Sequence, residues 1–316
     1  MRTLALVATL VGVTVIASQA QSAAVRTRIY AAFVTHNEES ISNPNCQPVL
    51  TDQARYLSNR EATLAMARLI VERGAAWNMQ SEWEYQLRVA DWDSASARAS
   101  TSGLNILEYL SRVSPTHIQV DAHSHEKRGY NYADVAATLA ALNVADSGIV
   151  GGFTWFPTAN QSWTRLMEPM AAARYAYTWN ARVLWGAASA GHRSDSNASG
   201  IWRPKSATDF HTHDAAQPLI NVGNFPGAGE HLSADGVLDL LARLRAGTLA
   251  PGMYTATIMV EQCELDDDAT LLTSVATVLD QLADGVAQRD IVWATIGEMV
   301  RVWQDEYGSA PTIYRP

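Results

Sequence analysis

The feature that most constrains this chain is its alternation of short β-type apolar runs with segments of helical periodicity. Strand-type runs fall at Ile29 to Val34, Ala76 to Met79, Thr116 to Val120, Gly148 to Phe153, Arg182 to Trp185, Leu219 to Val222, Met253 to Val260 and Ile291 to Ala294, with a possible further piece at Tyr85 to Val89. Helix-type segments fall at Asp52 to Arg73, Leu104 to Arg112, Tyr132 to Leu142, Ala234 to Ala246, Ala269 to Ala287 and Ile296 to Glu306. Gly74 and Gly247 stand where two of these helices should stop, and Ser233 stands where one should start. A strand followed by a helix, repeated, builds a parallel sheet, because parallel neighbours need a long crossover connection. Seven or eight repeats predict an α/β fold of the distorted (β/α) barrel kind, with mainly parallel strands. Hydrophobic residues make up 47% of the chain, enough for such a core. No shift in composition divides it, so residues 21–316 are expected to form a single catalytic domain.

Residues 1–20 are expected to be removed. Arg2 precedes an apolar run from Leu4 to Ala17, too short to span a bilayer comfortably, and Ser18-Gln19-Ala20 supplies the small residues a signal peptidase reads. The expectation is a secreted or periplasmic protein with no membrane contact after processing. A net charge of -9 argues against nucleic acid as a partner, since phosphate backbones demand basic patches. The two cysteines, Cys46 and Cys263, can pair in an oxidising compartment. Each follows a strand end, and in a closed barrel the first and last strands are neighbours.

Parallel α/β folds gather function at the C-terminal ends of their strands. Three polar clusters are expected there: His36-Asn37-Glu38-Glu39, then Asp121-Ala122-His123-Ser124-His125-Glu126, then Trp202-Arg203-Pro204 with Asp209 to Asp214 following. His123 and His125 carry the sharpest signal. Residues i and i+2 of an extended segment point to one side, so two imidazoles can hold one divalent ion. Glu38 and Glu39 are placed to complete the set. Such an ion polarises a carbonyl and acidifies water, and a second carboxylate can act as general base. The bland alternative is a pair of surface histidines and a solvated acidic turn. His211 and His213 repeat the spacing and either build a second ion site, line a substrate groove, or are loop residues. Tryptophans such as Trp202 suit sugar rings when exposed at a barrel mouth, and core packing when buried. No nucleophile elbow, phosphate loop or HExxH is present.

These residues and their order resemble the polysaccharide deacetylase superfamily, the NodB-like glycoside hydrolase/deacetylase barrels. The family's first strand ends in an acidic pair, where Glu38-Glu39 stands here. Its second motif offers two histidines after a later strand, as His123 and His125 do. Its third motif is an arginine followed by proline, similar to Arg203-Pro204. The chain departs from the family in having glutamates for aspartates, histidines separated by one residue and not three, and a late strand that leads into Glu261 and not into a histidine motif. The resemblance implies metal-dependent removal of an acetyl group from a carbohydrate. Glu38 would act as base, Glu39, His123 and His125 would hold one divalent ion, expected to be zinc, and Arg203 would orient the base. The two glutamates can exchange roles. His36, Trp202, His211, His213 and Glu261 are candidates for substrate contact.

Two other classes fit the same residues. Amidohydrolase-type and polymerase-and-histidinol-phosphatase-type barrels also use a His-x-His strand end, with His211, His213 and Asp214 as further ligands. A secreted barrel with degenerate motifs would instead bind glycans without turnover.

Overall fold

The computed structural model of the chain describes residues 26–37, 52–152, 165–185, 197–226 and 232–316. In chain order the elements are β1 (Arg28–Asn37), α1 (Gln53–Glu72), β2 (Trp77–Ser81), α2 (Trp83–Trp92), α3 (Ile106–Val113), β3 (Ile118–Ser124), α4 (Tyr132–Ala141), β4 (Ile149–Gly152), β5 (Met170–Ala171), β6 (Thr178–Trp179), β7 (Val183–Trp185), β8 (Ile201–Trp202), β9 (Ile220–Val222), α5 (Asp235–Arg245), β10 (Met253–Met259), α6 (Glu264–Asp267), α7 (Leu271–Ala287), β11 (Ile291–Trp293) and α8 (Ile296–Asp305). The expected signal segment, Glu38, Glu39 and Cys46 lie outside the described residues.

The main sheet runs β10-β1-β2-β3-β4-β7-β9-β8, and every pairing in it is parallel except β8 with β9. β1 is long because one of its edges serves two partners. Ile29 to Ala31 pair with β11, and Phe33 to Asn37 pair with β2. β5 and β6 form a separate antiparallel pair.

The sheet curls until its ends meet. Thr257 N donates to Phe225 O at 2.9 Å, and Thr255 Oγ1 donates to Gly223 O at 2.9 Å while accepting from Gly200 N at 2.8 Å. These bonds occupy the edge of β10 that β1 leaves open, which an exposed strand would otherwise present to solvent. The chain is thus an α/β protein with a mainly parallel, barrel-like sheet, as the alternation predicts.

Alternate residues of β1 divide the core in two. Ile29, Ala31 and Phe33 pack outward with Tyr56, Leu64, Met66 and Ile70 of α1. Tyr30, Ala32 and Val34 pack inward with Ile149, Val183, Trp185, Ile220 and Val222. Ile296, Met299, Val302 and Trp303 of α8 join the inner set and plug the end of the barrel where the parallel strands begin. The α8 N-terminus is tied to the floor by Asn78 Oδ1, which accepts from Ile296 N at 3.0 Å, and Gln119 Oε1, which accepts from Gly297 N at 3.0 Å.

Local signals explain the helices. Asp52 caps α1, accepting from Arg55 N at 2.8 Å, and Gly74 ends it at φ +62°. Asn131 and Asp134 form a capping box on α4. The strand considered at Tyr85 to Val89 is helix α2, since Trp83, Gln86 and Val89 recur at helical spacing and all three are buried. Two strands run further than expected. His36 and Asn37 belong to β1, paired with Gln80 and Ser81, and His123 belongs to β3, paired with Gly151. No described helix is long and apolar enough to cross a membrane.

Candidate functional site

Three consecutive strands deliver their last inward positions to one pit at the C-terminal end of the barrel. On β1 the inward series Tyr30, Ala32, Val34 continues to His36. On β2, Asn78 and Gln80 alternate with outward Trp77 and Met79. On β3, Gln119, Asp121 and His123 alternate with outward Ile118, Val120 and Ala122. His123 is fully buried, and His36 is 7% exposed.

The rings of His36 and His123 lie with centroids 4.1 Å apart, and the ring of His36 meets the indole of Trp185 edge-on at 5.4 Å. His125 leaves the strand and turns back, bringing its Nε2 to 3.1 Å from His123 Nε2. Its backbone N–H donates to the buried carboxylate of Glu82 at 3.1 Å. The turn that follows places Glu126 and Arg128 at positive φ, and Glu126 pairs with Arg165 at 2.5 Å. Strain in non-glycine residues beside such a cluster is a common mark of functional turns.

Two imidazole nitrogens at this separation suit one shared ion. Zinc–nitrogen bonds of about 2.0–2.1 Å in a tetrahedron set their donors about 3.3 Å apart. The described residues supply two donors, with no third His, Cys, Asp or Glu completing a group among them. Glu38 and Glu39, expected to complete the set, follow β1 directly but lie outside the described residues.

One inward layer deeper, Asp121 accepts from Asn78 Nδ2 at 2.6 Å. Burial pushes its carboxyl up to about 7, with hydrogen bonds, that of Asn78 among them, working the other way.

The third cluster is not part of this pit. β8 runs antiparallel to β9, so Arg203, just past β8, emerges where the parallel strands begin. Its Nη1 donates to Gln217 O at 2.7 Å and Pro218 O at 2.9 Å, ahead of β9, and its guanidinium lies 6.0 Å from the Trp303 ring of α8. The expectation that Arg203 orients a base beside Glu38 is therefore corrected: the reversed strand carries it to the other end. His213 Nδ1 accepts from Arg203 N at 3.1 Å, and His211 lies against Trp202 with centroids 6.0 Å apart. Burial holds both imidazoles below the ordinary histidine value. Neither joins His123, so the multi-ion set of His211, His213 and Asp214 with the first pair does not form. Trp202 is wholly buried, its Nε1 donating to Phe210 O at 2.7 Å, which makes it a core residue and not a sugar platform. Glu261, two residues past the end of β10 and half-buried, does lie at the C-terminal end, since Val260 N bonds Val34 O at 2.9 Å.

Gln80, Glu82 and Trp185 went unnoticed as site residues in the sequence. The signal for the first two was present. Asn78, Gln80 and Glu82 set polar groups at every second position after a strand start whose other face, Trp77 and Met79, is apolar.

The fold has counterparts among solved structures. Puue allantoinase superposes with a TM-score of 0.50 at 13% identity, over 89% of this chain and 91% of that one. A probable polysaccharide deacetylase from Pseudomonas aeruginosa PAO1 superposes with a TM-score of 0.50 at 12% identity, over 89% and 92%. The chain shares their fold. At these identities the likeness concerns the backbone and extends over nearly the whole of both relatives. No protein-family model matches the sequence, and no curated protein does.

Proposed function

We propose that this chain is a metal-dependent hydrolase that removes an acyl substituent, most simply acetyl, from a carbohydrate. The observation that carries the proposal is the 3.1 Å separation of His123 Nε2 and His125 Nε2 in a buried pit at the C-terminal end of the barrel. A shared fold with a probable polysaccharide deacetylase supports it.

His123 and His125 would hold one divalent ion, zinc in the first instance, with Glu39 as the acidic ligand and Glu38 as the base, or the two exchanged. A divalent ion in this place supplies a Lewis acid for the substrate carbonyl and makes water a better acid. The chain's own residues set the geometry. Glu82 anchors the backbone of His125, so the turn cannot swing the ring away from His123. Trp185 and His36 wall the pit and limit access of bulk water. Glu261, after β10 at the same end of the barrel, is the candidate for contact with a substrate hydroxyl. Export through the Leu4 to Ala17 segment would place the enzyme with extracellular or periplasmic glycans.

Purified mature protein would be assayed for bound metal and for acetate release from N-acetylated and O-acetylated oligosaccharides, with and without chelator. About one ion per chain and chelator-sensitive acetate release are expected. Glycan binding with neither metal nor turnover would replace this reading with a non-catalytic one.

A further inference from the structure

We propose that Gln80 is a positioning residue that keeps His123 Nε2 unprotonated, with its lone pair available to an ion, and that Gly151 exists to make room for it. The proposal rests on the metal-site reading above and assigns a role that reading does not need.

Gln80 Oε1 lies 3.2 Å from His123 Nδ1. A carbonyl oxygen has no proton to give, so Nδ1 is the donor. In a neutral imidazole the proton on Nδ1 leaves a lone pair on Nε2, the atom that faces His125 Nε2. The opposite amide orientation would put an N–H against Nδ1 and move the ring proton onto the nitrogen that must ligate. Ion-binding histidines generally donate their other N–H to an oxygen acceptor, which fixes both ring plane and tautomer. The acceptor here is a neutral amide.

Gln80 is fully buried, and its Nε2 has no hydrogen-bond partner among the described residues. A buried amide that forgoes its donors costs roughly 1–3 kcal/mol, which sequences rarely accept without return. What keeps it there is the neighbouring strand. Gly151 is the register partner of His123 on β4. A Cβ on Gly151 would overlap Gln80 Oε1 and come within 2.6 Å of its Cδ and 2.8 Å of its Nε2. Any side chain at 151 would drive the amide off the imidazole. Glycine in mid-strand is otherwise unfavourable, so the close approach accounts for it.

Metal-free protein would be titrated with zinc against a chromophoric chelator, and the His123 tautomer read by nitrogen NMR without metal. The variants are Gln80→Ala, Gln80→Met, Gln80→Glu and Gly151→Ala, each checked for folding by circular dichroism. Gln80→Ala and the near-isosteric Gln80→Met should weaken zinc binding by about 10–100-fold and lose the Nδ1–H tautomer. Gly151→Ala should match them. Gln80→Glu restores an oxygen acceptor and should bring affinity back to within about threefold of the parent, a rescue that a purely structural role would not give. Unchanged zinc affinity in folded Gln80→Met, or an Nε2–H tautomer in the parent, would overturn the proposal. If the parent binds no zinc, the proposed function fails instead, and the tautomer measurement still decides the role of Gln80.

Discussion

His36 packs against His123 at the C-terminal end of the barrel, their ring centroids 4.1 Å apart and their planes tilted by 36°, although the two stand far apart in the chain. The contact exists because β2 sits between their strands and all three run parallel, so one inward position per strand reaches the same level. It also means that His123 is a packed residue, bounded by His36 on one side and Gln80 on another, whereas His125 stands past the strand end.

That difference separates the two ligand variants. His123→Ala and His125→Ala should both reduce ion affinity by more than the ~10–100-fold loss typical of a supporting residue. They should differ in stability. Truncating His123 leaves a cavity, at a cost of about 1–3 kcal/mol, while His125→Ala should cost less than about 1 kcal/mol. Zinc titration and urea unfolding would be run on both. Full metal occupancy in either variant would remove it from the ligand set.

Arg203→Ala tests the correction made to the third cluster. The side chain holds the carbonyls of Gln217 and Pro218 and reaches no residue of the pit. Loss of those bonds should lower stability by about 1 kcal/mol, since the carbonyls can turn to water. Ion affinity and acetate release should stay within about twofold of the parent. A hundredfold fall in kcat with normal zinc content would return Arg203 to the catalytic apparatus, whatever its distance.

The fold was largely legible because parallel strands buried on both faces must be apolar and must be separated by helices, and both properties are written in residue order. The nearness of the two histidines was legible only in part: period-two spacing puts both at one strand end, but β3 stops at Ser124 and His125 meets His123 through the turn that follows. Arg203 was not legible. Its placement depends on β8 running backwards, and two residues of strand, Ile201 and Trp202, carry no directional signal. Gln80 was missed for a different reason. The sequence shows a polar residue near a strand end, but only the register with Gly151 and His123 shows what it touches. Polarity at His36 and Asn37 hides the end of β1 in the sequence, because the strand continues as long as β2 offers partners for its backbone.

Cys46 and Cys263 are expected to be bridged. β10 lies beside β1 with Val34 opposite Met259, so the chain leaving β10 starts beside the last residues of β1. Cys263 is buried at that end, 8% exposed, and there is no free cysteine among the described residues. A bridge spanning most of the chain should contribute about 2–5 kcal/mol. Unreduced protein would be unfolded and its thiols titrated. Two reactive thiols per chain would exclude the bridge, and none, with two appearing after reduction, is the expected result.

Asp121 should make the metal-free protein less stable as pH rises from acid to neutral. Its carboxyl is buried beneath the histidines and titrates at about 7 in the folded chain, against about 3.9 for an unperturbed aspartate. Between those values the folded state holds a proton that the unfolded state has lost, so stability falls with increasing pH across that window and levels off above it. Three units correspond to about 4 kcal/mol over the full range, of which about 2 kcal/mol falls between pH 5 and 7. Asp121→Asn keeps a group that can accept from Asn78 and has no charge to bury. Urea unfolding of both proteins in chelator at several pH values between 5 and 8.5 would isolate the effect, because other titrating groups cancel in the difference. The variant should gain on the parent steadily up to about pH 7 and hold a constant advantage beyond. Parallel stability curves would mean that Asp121 is ionised in the folded protein throughout, and that its bond to Asn78, with whatever else reaches the carboxylate, outweighs burial.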